Sequence, residues 1–114
     1  MTSSQVRLIN CQDLQQRLEG EGVGLLLDVR EEWEHSLAAI PGSVNIPLAQ
    51  LVDRLQELAF EDDIVVYCHV GQRSFQAAQI LVESGFPGVF NLVGGIDAWS
   101  QVIDPSIRRY QTPF

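Results

Sequence analysis

Two short, nearly unbroken apolar runs constrain this chain more than any other feature. They are "VGLLLDV" at 23–29 and "DIVVY" at 63–67. Neither alternates apolar with polar residues, as a strand with one wet face would. A strand that is apolar on both sides sits in a sheet covered on both faces, the usual situation of parallel sheets. "VRLI" at 6–9 and "VFNL" at 89–92 read as further strands, and Val44–Ile46, inside "IPGSVNIPL" at 40–48, reads as a very short one between two breaks. Helical segments lie between them. Leu14 and Leu18 share one face over roughly 11–19, with Asn10 as cap, Asp13 at capping-box spacing, and Gly20 and Gly22 as the stop. "EEWEHSLA" at 31–38 makes a short helical turn carrying Trp33 on an acidic surface. "LAQLVDRLQEL" at 48–58 places Leu48, Leu51, Val52, Leu55 and Leu58 at helical spacing. "SFQAAQILVESG" at 74–85 puts Ala77, Ala78, Ile80, Leu81 and Val82 inside, with Gly85 closing the helix. "GGIDAWSQV" enters a last short helix. This alternation of strands and helices predicts an α/β fold with a parallel sheet and right-handed crossovers.

At 114 residues the chain predicts one domain over 1–114, with its core at about 6–100. Residues 1–5 read as a short polar tail, and "DPSIRRYQTPF" at the end shows no periodicity. Net charge is −8 and all seven basic residues are Arg. With no basic stripe, nucleic acid is not an expected partner, and anionic substrates gain no long-range steering. No apolar run approaches membrane-spanning length, so no membrane association is expected. "MTSSQVRLIN" lacks the apolar middle of a signal peptide, so the expected location is cytoplasmic. Two cysteines, Cys11 and Cys68, make no disulfide framework. With two His and no C-x-x-C, neither a metal nor another cofactor is expected.

The chemistry concentrates in "YCHVGQRS" at 67–74. Cys68 ends a buried strand, and Ser74 opens the next helix. In open α/β sheets, sites form beyond the carboxyl ends of the strands. A turn this short can converge backbone N–H groups on one point, and the following helix N-terminus adds partial positive charge. Gly71 gives the turn conformations closed to other residues, and Arg73 adds a full charge. Such surroundings favour a thiolate nucleophile, or a bound anion. Taken alone, a Cys after "IVVY" reads as core, because free Cys is often buried. The Gly-x-Arg-Ser that follows tips the reading to nucleophile.

Three segments in register, "DVREEWEHSLAAIPGSVNIPL" at 28–48, "YCHVGQRS" at 67–74 and "LVGGIDAW" at 92–99, resemble the rhodanese domains. The resemblance covers roughly residues 6 to 100, with Ser43 where Ala is common. It implies an open parallel five-stranded sheet flanked by helices. It also implies a sulfurtransferase in which Cys68 takes a sulfane sulfur from thiosulfate or another small anionic donor, becomes a persulfide, and passes the sulfur to cyanide, a thiol or a protein. His69, Val70, Gly71, Gln72 and Arg73 match the active loop, whose backbone would hold the anionic sulfur. Arg73 would hold a donor's oxyanion end, with Ser74 at the loop's end in the same substrate site. Asp28 and Arg30 match the family's Asp-x-Arg. A supporting role near the loop, such as holding its backbone, is preferred over a solvated charge pair at a strand end, and direct catalysis is disfavoured.

Other residues read more plainly. His69 could stabilise a thiolate or protonate a leaving group; a side chain pointing to solvent is favoured, with His69 contributing backbone only. His35 reads as a surface residue, Pro41 and Gly42 as turn chemistry. Gly94 and Gly95 permit a tight turn and Trp99 reads as core or pocket wall. Cys11 reads as structural. Two alternatives to a sulfurtransferase remain. One is a Cys-dependent phosphatase of the same fold, disfavoured because four residues, not five, separate Cys68 from Arg73. The other is a persulfide carrier serving a protein partner. "DPSIRRY" at 104–110 is similar to the tails of rhodanese domains attached to enzymes that activate ubiquitin-like sulfur carriers.

Overall fold

The computed structural model describes residues 5–59 and 61–112. Most of the polar N-terminal tail and the last two residues of the chain lie outside that range. Five strands, β1 (Arg7–Ile9), β2 (Leu25–Asp28), β3 (Val44–Asn45), β4 (Ile64–Tyr67) and β5 (Val89–Leu92), form one fully parallel sheet in the order β1-β5-β4-β2-β3. The helices are α1 (Cys11–Glu19), α2 (Glu32–Leu37), α3 (Leu48–Leu51), α4 (Gln72–Glu83) and α5 (Gly95–Val102). The α/β class and the five-stranded parallel sheet are as the sequence and its resemblance led one to expect. Among the described residues, no helix is long and apolar enough to cross a membrane.

Side chains of the central strands alternate between two cores, as the strand period of two requires. Leu27, Val29, Ile64, Val66 and Cys68 face Leu51, Leu58, Ala77, Ala78 and Leu81 of α3, α4 and their neighbours. Leu26, Val65 and Tyr67 face Cys11, Leu14, Ile96 and Trp99 of α1 and α5. Cys68 therefore continues the series Ile64, Val66, Cys68 toward α4. Asp28, in register with Tyr67, belongs to the opposite face.

Local chemistry sets the ends. Asn10 Oδ1 accepts the Asp13 N–H at 2.8 Å and caps α1. Gly85, at φ +97°, takes the left-handed conformation that ends α4. Three boundaries differ from the sequence reading. The run 23–29 contributes only Leu25–Asp28 to the sheet. α4 starts at Gln72, with Gly71 as N-cap, so Ser74 sits inside its first turn rather than at its start. The segment 48–58 is a four-residue α-helix followed by a 3₁₀ helix over Val52–Leu58, where Arg54 leaves helical geometry at φ −118°. Leu48 and Leu51, like Leu55 and Leu58, are three apart. That spacing fits a three-residue turn as well as one of 3.6, so periodicity could not distinguish them. Val52, expected in the apolar face, is exposed.

Candidate active site

Cys68 lies where the connections from two neighbouring strands part. β4 leads into α4 on one face of the sheet, and β5 leads into α5 on the other. Such a divergence leaves a crevice at the carboxyl ends of the strands. The Cys68 Sγ accepts the Gly71 N–H at 3.0 Å and lies 3.3 Å from the Ser74 hydroxyl, which donates to it. Two donors converging on one sulfur are complementary to negative charge there. Gly71 makes this possible: at φ +111° its N–H turns back toward residue 68, a conformation a Cβ would strain. Cys68 is 1% exposed. Cys68 is thus packed against α4 on one side and wrapped by its own loop on the other.

Asn91, to which the sequence reading assigned no role, completes the cradle. Its Oδ1 lies 2.5 Å from the Ser74 hydroxyl, and its Nδ2 donates to the Gly71 carbonyl at 3.2 Å. Ser74 has one proton for two acceptors, Cys68 Sγ and Asn91 Oδ1. The hydroxyl can therefore turn toward sulfur when charge develops there. A polar residue at a buried position of an otherwise apolar strand was the available signal. Gly95 explains the double glycine. A Cβ on it would sit 2.5 Å from the carbonyl oxygens of both Cys68 and His69. The next two N–H groups of α5, those of Ile96 and Asp97, donate to these carbonyls at 2.9 and 3.0 Å. The start of α5 is the seat on which the Cys68 loop rests. Trp99 is buried in the core on that side.

Beside the cradle lies a buried polar network that the sequence reading largely missed. Arg73 donates through both terminal nitrogens to Glu34, Nη1 to Oε1 at 2.7 Å and Nη2 to Oε2 at 2.9 Å. Glu34, read as part of an acidic surface, is fully buried. Its Oε2 also accepts the Tyr110 hydroxyl at 2.8 Å, and Tyr110 in turn accepts from Arg30 Nη1 at 2.8 Å. Burial alone would raise the Glu34 pKa, but hydrogen bonds from Arg73, Tyr110 and the Glu31 backbone outweigh it and hold the carboxyl below its ordinary value. The only sequence signal for Glu34 was its place three residues after Glu31, with which it forms a capping box. Tyr110 offered only an aromatic ring in an aperiodic tail.

Several expected placements change. Asp28 and Arg30 form no solvated pair. Both are fully buried, with Arg30 Nε and Nη2 on the two Asp28 oxygens at 2.8 and 2.6 Å. Arg30 also donates to the carbonyls of Ala38 and Glu34, so the pair braces α2 and the Tyr110 segment rather than the backbone of the Cys68 loop. The reason is the strand alternation that puts Asp28 on the other face from Cys68. His35 is not a free surface residue; its Nδ1 lies 2.7 Å from Asp28 Oδ2. His69 does not point into solvent. Its ring packs on Tyr110 with centroids 4.5 Å apart, and its Nε2 is buried without a hydrogen-bond partner among the described residues. Val70 and Gln72 are exposed on the loop. Cys11 is buried in the second core, where burial pushes its thiol pKa up. Pro41 and Gly42 make a turn closed by the Ser43 N–H on the Ile40 carbonyl at 3.2 Å. Among the described residues no group of His, Cys, Asp and Glu could hold a metal ion.

The chain is similar to known proteins. The family model for the Rhodanese-like domain matches residues 10–102. A sulfurtransferase of Allochromatium vinosum is 36% identical over 96 residues, covering 84% of this chain and 90% of that protein. The putative sulfur carrier protein YrkF of Bacillus subtilis is 37% identical over 98 residues, 86% of this chain, but the chain spans only 53% of its length. The solved structure of the human single-domain sulfurtransferase TSTD1 superposes with a TM-score of 0.76 at 27% identity, over 85% of this chain and 97% of the other.

Proposed function

The chain belongs to the rhodanese-like domain family, and from that premise we propose that it is a single-domain sulfurtransferase working through a persulfide on Cys68. One observation carries this reading: the Gly71 N–H and the Ser74 hydroxyl converge on the sulfur at the carboxyl end of β4. In the first half-reaction the Cys68 thiolate attacks the outer sulfur of a donor. A bond to Sγ forms, the donor's S–S bond breaks, and the rest of the donor leaves with the bonding pair, as sulfite if the donor is thiosulfate. In the second, an acceptor such as cyanide or a thiolate attacks the terminal sulfur of the persulfide, and the Cys68 thiolate leaves. In this reading the attacking species is the thiolate, so the displacement itself needs no general base. The loop 69–73 and Ser74 cradle the transferred sulfur, Arg73 adds positive charge beside it, and Asp28 and Arg30 brace the wall behind. The sulfurtransferase name of the Allochromatium relative supports the same reading.

A protein acceptor is a second reading, favoured by the likeness to a protein described as a putative sulfur carrier. It uses the same persulfide and differs only in what collects the sulfur. Phosphoryl transfer fits less well. The loop is one residue short for a tetrahedral phosphoryl group, and the Arg73 fork that would hold it is on Glu34. Intact-mass spectrometry after incubation with thiosulfate or glutathione persulfide tests the proposal. A gain of one sulfur that requires Cys68, is lost in Cys68→Ser and is reversed by cyanide is expected. No gain from either donor, with the fold intact, sinks it.

A further inference from the structure

The fork of Arg73 is the natural hand for an oxyanion, yet it is closed on Glu34. Both terminal nitrogens donate to the two carboxylate oxygens, and Tyr110 pins that carboxylate from the other side. Arg73 is 21% exposed at its side chain while Glu34 is fully buried. Pulling Arg73 toward a donor would strand a buried carboxylate without its counter-charge, which opposes the movement strongly. The space beside it points the same way. A pocket of about 270 Å³ is lined by Val29, Leu48 and Ala49 together with Glu31 and Arg73. Its three apolar residues suit a carbon skeleton. A larger recess, of about 800 Å³, is lined by Asp13, Arg17, Glu21 and Asp63 at the opposite end of the strands, away from Cys68.

We propose that Glu34 sets the donor preference of the Cys68 site by keeping Arg73 from oxyanions, so that the site takes its sulfur from a thiol-borne persulfide in preference to thiosulfate. This deepens the sulfurtransferase reading and rests on it. The step balances without oxidant or reductant. The Cys68 thiolate bonds to the outer sulfur of R–S–SH, the donor S–S bond breaks, and R–S⁻ leaves with the pair. The proton stays on the transferred sulfur. The pocket receives R, and Glu34 acts as a positioning residue through Arg73.

The test compares rates of sulfur loading onto Cys68, followed by quenched intact mass, with glutathione persulfide and with thiosulfate. It uses the wild type, Glu34→Gln and the double variant Glu34→Gln/Arg73→Gln. Glutamine keeps the shape and can still accept from Tyr110, but it frees one arm of the Arg73 fork. The thiosulfate-to-persulfide ratio of loading rate constants is expected to rise about 10-fold in Glu34→Gln, the worth of one charge-assisted hydrogen bond, and to fall back in the double variant. Tyr110→Phe, which loosens Glu34 without removing it, is expected to move the ratio the same way by a smaller factor, and serves if Glu34→Gln does not fold. An unchanged ratio in folded variants, or a rise that survives removal of Arg73, overturns the proposal and leaves the sulfurtransferase reading standing. No loading from either donor overturns both.

Discussion

Tyr110 and Glu34 stand 76 positions apart in the chain and share one hydrogen bond of 2.8 Å. Through it the aperiodic C-terminal segment reaches the ion pair beside the Cys68 loop. The same hydroxyl accepts from Arg30, so one phenol joins the Asp28–Arg30 pair to the Glu34–Arg73 pair. Burial, the largest influence, raises the Tyr110 pKa above its ordinary value, so the hydroxyl stays protonated across the neutral range.

Removing that hydroxyl by Tyr110→Phe leaves the ring on His69 and Trp33 but deprives Glu34 of a donor and Arg30 of an acceptor. Urea unfolding should show a loss of about 1–2 kcal/mol with an unchanged m-value. A loss indistinguishable from zero would mean that the segment around Tyr110 is not held as described.

Gly95→Ala tests the seat of the loop. Its φ is +59°, and the added methyl would meet two backbone carbonyls that cannot swing aside. A cost of about 2–4 kcal/mol is expected, together with slower sulfur loading as the loop shifts. Gly85→Ala is the control. It also has positive φ but faces open space, so it should cost only about 1 kcal/mol and leave loading untouched. Equal effects at both positions would refute the contact at Gly95.

Arg30→Met leaves Asp28 buried without its guanidinium partner. The expected cost is about 3–5 kcal/mol by equilibrium unfolding, because the buried carboxylate is left with only His35 and the residue-30 N–H as partners. The double variant Asp28→Asn/Arg30→Met removes that charge and should recover part of the loss. Arg30→Lys should not rescue stability, since an ammonium cannot bridge Asp28, Ala38 and Tyr110 together.

Acid stability should report on Glu34. Its folded pKa is depressed, so the stability it contributes is present above the unfolded value of about 4.3 and is lost as pH falls through the lower folded one. Asp97, lowered by its hydrogen bonds from Arg109, adds in the same direction. Melting temperature should therefore drop below about pH 4, and Glu34→Gln should flatten that limb. On the alkaline side, burial and the nearby Asp28 push the Tyr67 phenol to about 12. Its contribution is complete below the unfolded value of about 10 and is lost as pH rises through the folded one. Tyr67→Phe should remove that part of the alkaline dependence.

Where these residues were legible, a local rule was at work. Asn10 capping α1, Gly71 turning the loop and Gly85 ending α4 each answer to backbone geometry within a few residues. The buried runs of β2 and β4 announced a covered parallel sheet, because a strand without a polar face has nowhere else to go. Cys68, ending one of those runs before Gly71 and Arg73, marked the site for the same local reason.

The rest depended on which elements meet. Periodicity assigns a residue to a face of its own helix or strand, not to the neighbour that face will find. Glu34 read as solvated because the residues around it are acidic, and its burial is made tolerable by distant partners, Arg73 39 positions later and Tyr110 76 positions later. Arg73 read as an open hand for the complementary reason. Tyr110 had no pattern to betray it, since it docks as a single ring on His69 rather than as part of a regular element. By itself the sequence determined the layered α/β class, the place of Cys68 at the end of a buried strand and the turn that surrounds it, since these follow from short-range sterics and strand burial. Tertiary structure alone decided that the arginine beside that cysteine is paired with a buried carboxylate, because the energy of a buried charge is set by partners the chain brings together only on folding.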